Sequence, residues 1–211
     1  MHLLNNQWID ITNPTEEELF ALALKYNLSD EAVKDCLQPD HLPKYEEIDH
    51  TRFIVSRIYD VNQSADADTI QEVSRKISIF ITDSHVITVH RSEQPIIDVI
   101  RNKEIPANTC NDMHQVVLHI LNKVILSYNE PALKLADEVD FFESKIFLRK
   151  KIPNLLKNIY RIKRKVSTIR KILFLSKDIV NKLEVERKKD PIFRELYDNF
   201  IQQETLYDQL A

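Results

Sequence analysis

Residues 73–89, VSRKISIFITDSHVITV, carry the pattern that decides the fold. Residues 73–82 alternate around Ile77, Ile79 and Ile81, a polar pair follows at 83–84, and a second apolar run spans 86–89. Alternation with a period of two predicts a strand with one buried face, and a short polar turn between two such runs predicts a hairpin. This stretch therefore predicts two adjacent antiparallel strands.

The segments on either side of this hairpin predict the rest of a sheet and the helices that cover it. Residues 8–11 alternate, and 52–59 are rich in β-branched and aromatic side chains, so both segments predict strands. Residues 15–18 fit a capping box at the start of a helix, and Ser29 can cap a second, short helix that ends before Pro39. We expect an α/β fold in which helices sandwich a mixed, largely antiparallel sheet.

From residue 111 the hydrophobic period changes to 3.6, which predicts long helices. Pro131 interrupts the first apolar stripe and should kink or divide that helix. Apolar residues at heptad spacing over 155–183 predict a very long second helix, and Pro191 can begin a third. We expect these helices to form a long antiparallel pair with little globular core of their own. The chain would then divide into an α/β domain at 1–106, a helical hairpin at 107–189 and a further helix at 190–211.

The 211 residues include no glycine, and this absence excludes several classes of protein. A Walker A loop, a Rossmann G-x-G-x-x-G turn and a G-x-S-x-G nucleophile elbow all need glycine where the backbone turns sharply or approaches a phosphate. The seven histidines show no zinc-binding spacing, and Cys36 and Cys110 form no C-x-x-C pair. We expect structural or surface histidines, small buried thiols and no enzymatic activity.

Charge is strongly segregated along the chain, although the formal net charge is only −4. Residues 1–72 hold 5 Lys and Arg against 15 Asp and Glu, whereas 145–189 hold 16 against 3, a net charge of +13. Such a basic block fits either a nucleic-acid face or a long solvated helix that opposes the acidic N-terminal part or an anionic surface. Aromatic residues such as Tyr160 and Phe174 are too few to form a base-stacking platform, so we expect no nucleic acid as a partner.

Carboxylates at two places have the chemistry of a site for a hard cation. Asp35 lies at the end of the short second helix, before the proline-bounded segment 39–43. Glu195 and Asp198 form an i, i+3 acidic pair on the last helix. Oxygen ligands of this kind suit Mg²⁺. Taken alone, these residues are explained better as solvated surface acids than as a metal site.

Several segments, taken in order, resemble the cytoplasmic domain of the CorA family of magnesium channels. They are 8–15 (WIDITNPT), 35–46 (DCLQPDHLPKYE), 53–55 (FIV) with the hairpin at Asp83, and 190–198 (DPIFRELYD). The resemblance covers nearly the whole chain. It implies an α/β sandwich, a long antiparallel helix pair, and a stalk helix that begins in 190–211. Two membrane helices with a Tyr-Gly-Met-Asn signature would follow, and the present chain would lie at the cytoplasmic face of the inner membrane.

The resemblance further implies a homopentamer with a regulatory divalent cation between neighbouring protomers. The family's paired acids correspond to Asp35 and Glu195, and the cation would be Mg²⁺, Co²⁺ or another divalent ion. Lys34 and Asn122 stand where the family has further acids, which disfavours a second metal. In the family, Mg²⁺ closes the pore and its loss opens it. Two alternatives stay open: a zinc or cobalt transporter of the same family, and a coiled-coil interaction or nucleic-acid-binding protein that uses the basic helix.

Overall fold

A computed structural model describes residues 7–48, 50–149, 151 and 153–211. In chain order its elements are β1 (Trp8–Thr12), α1 (Glu16–Tyr26), α2 (Asp30–Leu37), β2 (Lys44–Ile48), β3 (Thr51–Tyr59), α3 (Ile70–Val73), β4 (Ser74–Ile81), β5 (Val86–His90), α4 (Pro95–Val99), a π-helical turn (Ile100–Glu104), α5 (Met113–Leu126), α6 (Asn129–Phe147), α7 (Leu155–Arg187) and α8 (Pro191–Gln209).

The strands form a sheet in the order β1-β5-β4-β3-β2. The pairs β5–β4, β4–β3 and β3–β2 are antiparallel, whereas β1 pairs with β5 in parallel, with Trp8 opposite Val86. The hairpin predicted at 83–84 joins β4 to β5, and the mixed, largely antiparallel sheet is confirmed. β2 has the sequence KYEEI, which carries no apolar alternation from which to predict it. Short, charged edge strands are typical because they discourage pairing with other chains.

Helices cover both faces of the sheet, which confirms the predicted sandwich. Successive residues of a strand point to opposite faces, so Phe53 and Ile54 belong to different cores. Phe53 packs with Phe80 and with buried side chains of α1 and α2, among them Leu19 and Val33. Ile54 belongs to the core that contains the buried side chains of α5, α7 and α8.

The helices after residue 111 are part of this second core, so the expectation that they have little globular core is wrong. α5 lies against the sheet and α8 packs on α5, which buries Val117, Leu196 and Phe200 almost completely. A helical stripe predicts one apolar face, but it does not say whether that face meets a sheet or another helix. Among the described residues, none of these helices is both long and apolar enough to cross a bilayer.

Pro131 divides the first long helix, as predicted. α5 ends at Leu126, and α6 begins two residues before the proline. Proline has no N–H, and its ring clashes with the carbonyl four residues earlier, which is that of Ser127, so the helix breaks there. The Tyr128 hydroxyl donates to the carbonyl of Arg57 on β3 (2.7 Å), which anchors the break on the sheet.

Asparagine takes most of the left-handed backbone positions that glycine would otherwise occupy. Among the described residues, positive φ occurs at Asn13, Asn27, Asn108, Arg149 and Asn154. Asn27 ends α1 in the αL conformation, and Asn154 precedes α7. The short polar side chain of asparagine bonds locally and so tolerates αL better than most residues that carry a Cβ. Helices in this chain therefore end without glycine.

Candidate functional site

Asp35 lies in the last turn of α2, beside the edge strand β2. Lys44 Nζ donates to Asp35 Oδ2, and His41 Nε2 lies 3.4 Å from the same oxygen. Lys44 Nζ also contacts Glu46 Oε2 at 2.7 Å. Burial lowers the pKa of Lys44, but the hydrogen bonds and charges of Asp35 and Glu46 outweigh it, so the pKa is raised. The Asp35 side chain is 24% exposed, so a cation in solution can reach it.

The buried ammonium of Lys76, on β4, caps the C-terminus of α2. It donates to the carbonyls of Asp35 (2.9 Å), Cys36 (2.7 Å) and Gln38. Carbonyls at a helix end have no intrahelical partner, and a cation there opposes the negative end of the helix dipole. Burial lowers the pKa of Lys76 to about 8, although the carboxylate of Asp35 acts in the opposite direction. Lys76 therefore holds the backbone that positions Asp35.

Arg57 holds the loop that follows α2. Its guanidinium donates to the carbonyls of Pro39 (3.1 Å) and His41 (2.8 Å). Arg57 lies opposite Lys76 in the β3–β4 register, and it is 2% exposed. Neither cation is among the functional residues predicted from the sequence. A charged residue inside an otherwise apolar strand is the signal that points to them, because a buried charge needs partners.

Glu195 lies on the exposed side of α8 and is joined to α5. Its Oε1 accepts a hydrogen bond from Asn122 Nδ2 (3.0 Å), and Asn122 Oδ1 accepts one from Asn199 Nδ2 (2.8 Å). Asn122 is buried, so the two helices share a polar network at the point where the resemblance places a further acid. Asp198, one turn further along α8, is exposed.

The structure does not bring Asp35 and Glu195 together within one chain. α2 carries Asp35, and its buried residues Val33 and Cys36 belong to the core on one face of the sheet. α8 carries Glu195, and its Leu196 belongs to the core on the other face. The sheet therefore separates the two carboxylates. Among the described residues, no three His, Cys, Asp or Glu side chains are grouped so that they could hold a metal ion.

Two of the histidines contact carboxylates of the same chain, and both cysteine thiols are buried. His90 Nε2 contacts Asp10 Oδ1 at 3.0 Å, and His119 Nδ1 contacts Glu104 Oε2 at 2.9 Å. Cys36 and Cys110 are both buried and free. Burial raises the pKa of Cys110 to about 12, with the charge of Asp112 adding to the effect. Thiols of this kind stay protonated and are poor metal ligands.

Part of the basic block forms ion pairs with acids of the same chain. Charged side chains on α7 pair with acids on α8 and on the acidic N-terminal part, in the pairs Arg164–Asp68 (3.1 Å), Lys177–Glu204 (2.9 Å) and Arg170–Asp208 (2.8 Å). The pairing of Arg164 with Asp68 agrees with the interpretation of a solvated helix whose charges oppose the acidic N-terminal part. Pairs as exposed as these each contribute little to stability.

Comparison with known proteins agrees with this fold. The family model described as "CorA-like Mg2+ transporter protein" matches residues 5–211. A curated relative, the cobalt/magnesium transport protein CorA of Methanocaldococcus jannaschii, is 24% identical over 210 residues, which cover 96% of this chain and 62% of the relative. The chain thus spans less than two thirds of the length of this relative.

Two solved structures show the same fold. The complete CorA magnesium transporter from Methanocaldococcus jannaschii superposes with a TM-score of 0.72 at 21% identity, covering 96% of this chain and 64% of the other. The cytoplasmic domain of ZntB from Vibrio parahaemolyticus superposes with a TM-score of 0.67 at 12% identity, covering 96% and 81%. Their low sequence identity limits the conclusion to the fold.

Proposed function

Because the chain belongs to the family of CorA-like Mg²⁺ transporter proteins, we propose that it is the cytoplasmic, cation-sensing domain of a divalent-cation channel. Members of this family are transporters, and we assign the chain no enzymatic step. In this proposal 1–106 is the α/β regulatory domain, 107–189 a helical hairpin, and 190–211 the start of a stalk helix towards a membrane region. One observation carries the proposal: Asp35 and Glu195 lie on opposite faces of the sheet.

Placement on opposite faces suits a ring of identical subunits. In a ring, one face of each protomer meets the other face of its neighbour, so Asp35 of one chain can approach Glu195 of the next. Such a site exists only in the assembly, which we propose to be a homopentamer. Both carboxylates keep solvent access in the single chain, where Lys44 contacts Asp35 and Asn122 donates to Glu195.

Electrostatics supplies the coupling between the cation and the ring. Two carboxylates about 4 Å apart repel by roughly 1–4 kcal/mol at the dielectric constants of a protein surface. A bound Mg²⁺ reverses the sign of this interaction and draws the protomers together. Five interfaces would contribute roughly 5–20 kcal/mol. Shifting a two-state equilibrium from about 1:99 to about 99:1 takes about 5.5 kcal/mol of differential binding. Weak individual sites are therefore sufficient to close a pore.

The test is a flux measurement on a full-length channel that carries this domain, with cytoplasmic Mg²⁺ varied. Asp35→Asn and Glu195→Gln should each keep the channel open at high Mg²⁺, and the double variant should add little because both residues act on one site. Asp30→Asn and Asp208→Asn are matched controls, since each removes an exposed acid from the same helix and neither belongs to the proposed site. Normal Mg²⁺ closure in both site variants contradicts the assignment.

Cobalt is a second candidate ion, because the curated relative is named a cobalt/magnesium transport protein. Oxygen ligands favour Mg²⁺ but do not exclude Co²⁺. Repeating the flux measurement with Co²⁺ and with Zn²⁺ in place of Mg²⁺ separates the sensing ion from the transported one. Closure by Zn²⁺ alone would favour the zinc-transporter alternative.

A further inference from the structure

We propose that the end of the α6–α7 hairpin docks on the surface of an anionic lipid bilayer. We call this region the hairpin tip, and define it as the described residues of 147–160, where α6 ends and α7 begins. The proposal goes beyond the cation site and is independent of it, because neither Asp35 nor Glu195 lies in this hairpin.

The hairpin tip exposes large apolar side chains at the end of α6 and in the first turns of α7. Phe147 is 87% exposed, Leu148 57%, Leu156 83% and Tyr160 62%. Single exposed apolar residues are ordinary on a soluble protein, whereas clusters mark surfaces that bind a partner or a membrane. At the base of the tip the hairpin closes on itself, since Phe142 and Ile162 are both buried. The exposed apolar side chains therefore lie at the end of the hairpin, beyond the buried contacts between α6 and α7.

The hairpin tip is also positively charged and is not neutralised. The sequence has no Asp or Glu from 144 to 177. Arg149, Lys151 and Lys157 are exposed, and none of them belongs to an ion pair among the described residues. Further along α7 several basic residues pair with acids, as Arg164 does with Asp68, whereas others such as Lys182 are exposed. What distinguishes the hairpin tip is that basic residues with no acid paired to them among the described residues lie at the same end as exposed apolar residues.

An anionic lipid surface matches both properties together. Apolar and aromatic side chains enter the boundary between headgroups and acyl chains, while Lys and Arg stay at the headgroups. Leu148 and Leu156 have no rings on which bases could stack, so single-stranded nucleic acid would use only part of the surface. A second copy of the hairpin tip would bring like charge against like charge. The lipid surface is therefore the partner that uses every exposed group.

The experiment is sedimentation of the chain with vesicles of phosphatidylcholine alone and of phosphatidylcholine mixed with phosphatidylglycerol. We expect binding to the anionic vesicles only, and weaker binding at high salt. Phe147→Ser should weaken binding by roughly tenfold, from the loss of buried apolar area. Lys157→Gln should weaken it about fivefold, as for one cation near an anionic surface. Val185→Ser and Lys182→Gln are matched controls near the other end of α7, far from the hairpin tip, and Val185 is as exposed as Phe147, at 87%.

Three outcomes would overturn the proposal. The first is equal binding to neutral and anionic vesicles, or to neither. The second is an equal loss of binding in the Val185→Ser and Lys182→Gln controls. The third is self-association, or tight binding of a DNA duplex, that Phe147→Ser and Lys157→Gln abolish while vesicle binding persists. Because these substitutions are exposed, circular dichroism should show an unchanged fold in all variants.

Discussion

Lys44 is bound to the carboxylate of Asp35, the residue that we propose as a cation ligand. The same ammonium contacts Glu46, so Lys44 lies between two carboxylates, that of Asp35 on α2 and that of Glu46 on its own strand β2. A divalent ion that binds Asp35 must displace this ammonium or share the carboxylate with it. Lys44 therefore acts as an internal competitor for the proposed ion.

Substitution of Lys44 should strengthen cation binding. Lys44→Gln removes a positive charge from Asp35, so in the assembled protein Mg²⁺ should act at a several-fold lower concentration, equivalent to about 1 kcal/mol for a partly exposed pair. The measurement is the Mg²⁺ dependence of flux or of thermal stability. Lys25→Gln removes an exposed lysine from α1 and should leave that dependence unchanged. Unchanged or weaker Mg²⁺ action in Lys44→Gln would show that Asp35 does not bind the ion.

Asp10 should make the free energy of unfolding depend on pH at acidic pH. Its Oδ1 contacts His90 Nε2 (3.0 Å) and accepts a hydrogen bond from Thr88. Burial raises the pKa of Asp10, but the hydrogen bonds to His90 and Thr88 outweigh it, so the pKa is lowered. A carboxyl with a lowered folded-state pKa stabilises the fold above its unfolded pKa, near ~4, and that stability is lost as pH falls through the folded value.

Because the charged form of Asp10 stabilises the fold, its replacement by Asn should cost most at neutral pH. At neutral pH, Asp10→Asn should lower the free energy of unfolding by about 1–3 kcal/mol. Below a pH of about 4 the gap between wild type and variant should shrink, because the wild-type carboxyl becomes protonated too. Urea unfolding at several pH values measures both. A gap that stays constant with pH would show that the carboxylate charge contributes nothing.

Tyr207 should stabilise the junction between α8 and the α5–α6 break. Its hydroxyl, fully buried, donates to the carbonyl of Tyr128 (2.9 Å). Tyr207→Phe leaves that carbonyl without this donor, so we expect a loss of about 1–2 kcal/mol in the free energy of unfolding. Tyr197→Phe, on the same helix but 37% exposed, should cost less than about 0.5 kcal/mol. Equal losses in the two variants would contradict a specific role for the buried hydroxyl.

The two thiols should be dispensable for cation sensing. Cys36→Ala and Cys110→Ala should leave the Mg²⁺ response intact, because thiolates prefer softer metals than Mg²⁺. Burial raises the pKa of both thiols, so neither supplies a thiolate at neutral pH. Each variant leaves a small cavity, so some loss of stability is expected. A lost Mg²⁺ response in a variant that still folds would point to a different metal site.

The division of the chain at 106 and 189 stays a prediction. Limited proteolysis tests it, since linkers between independent units are cut first. The second core joins buried residues of the sheet with those of α5, α7 and α8, so cutting near 106 should unfold the α/β part. Survival of a folded fragment that ends near 106 would instead support the division.

At the candidate site, local pattern predicted the positions of the acids but not their surroundings. The capping residues and prolines around 29–43 place Asp35 at a helix end, and Pro191 places Glu195 near the start of the last helix. Lys76 and Arg57 reach the site from the middle of two strands, and Lys44 reaches it from an edge strand. Contacts across such distances in sequence depend on strand register, which no local pattern encodes.

The sequence alone determined what depends on neighbours along the chain. The alternation over 73–82 predicted a hairpin strand, and heptad spacing predicted α7, because side-chain direction repeats with a period of two in a strand and 3.6 in a helix. Pro131 set the helix break, since a missing N–H acts locally. The tertiary structure alone decided that β1 pairs in parallel with β5, and that α8 packs on α5. It also decided that the sheet separates Asp35 from Glu195, because which surface covers an apolar face depends on the packing of the whole chain.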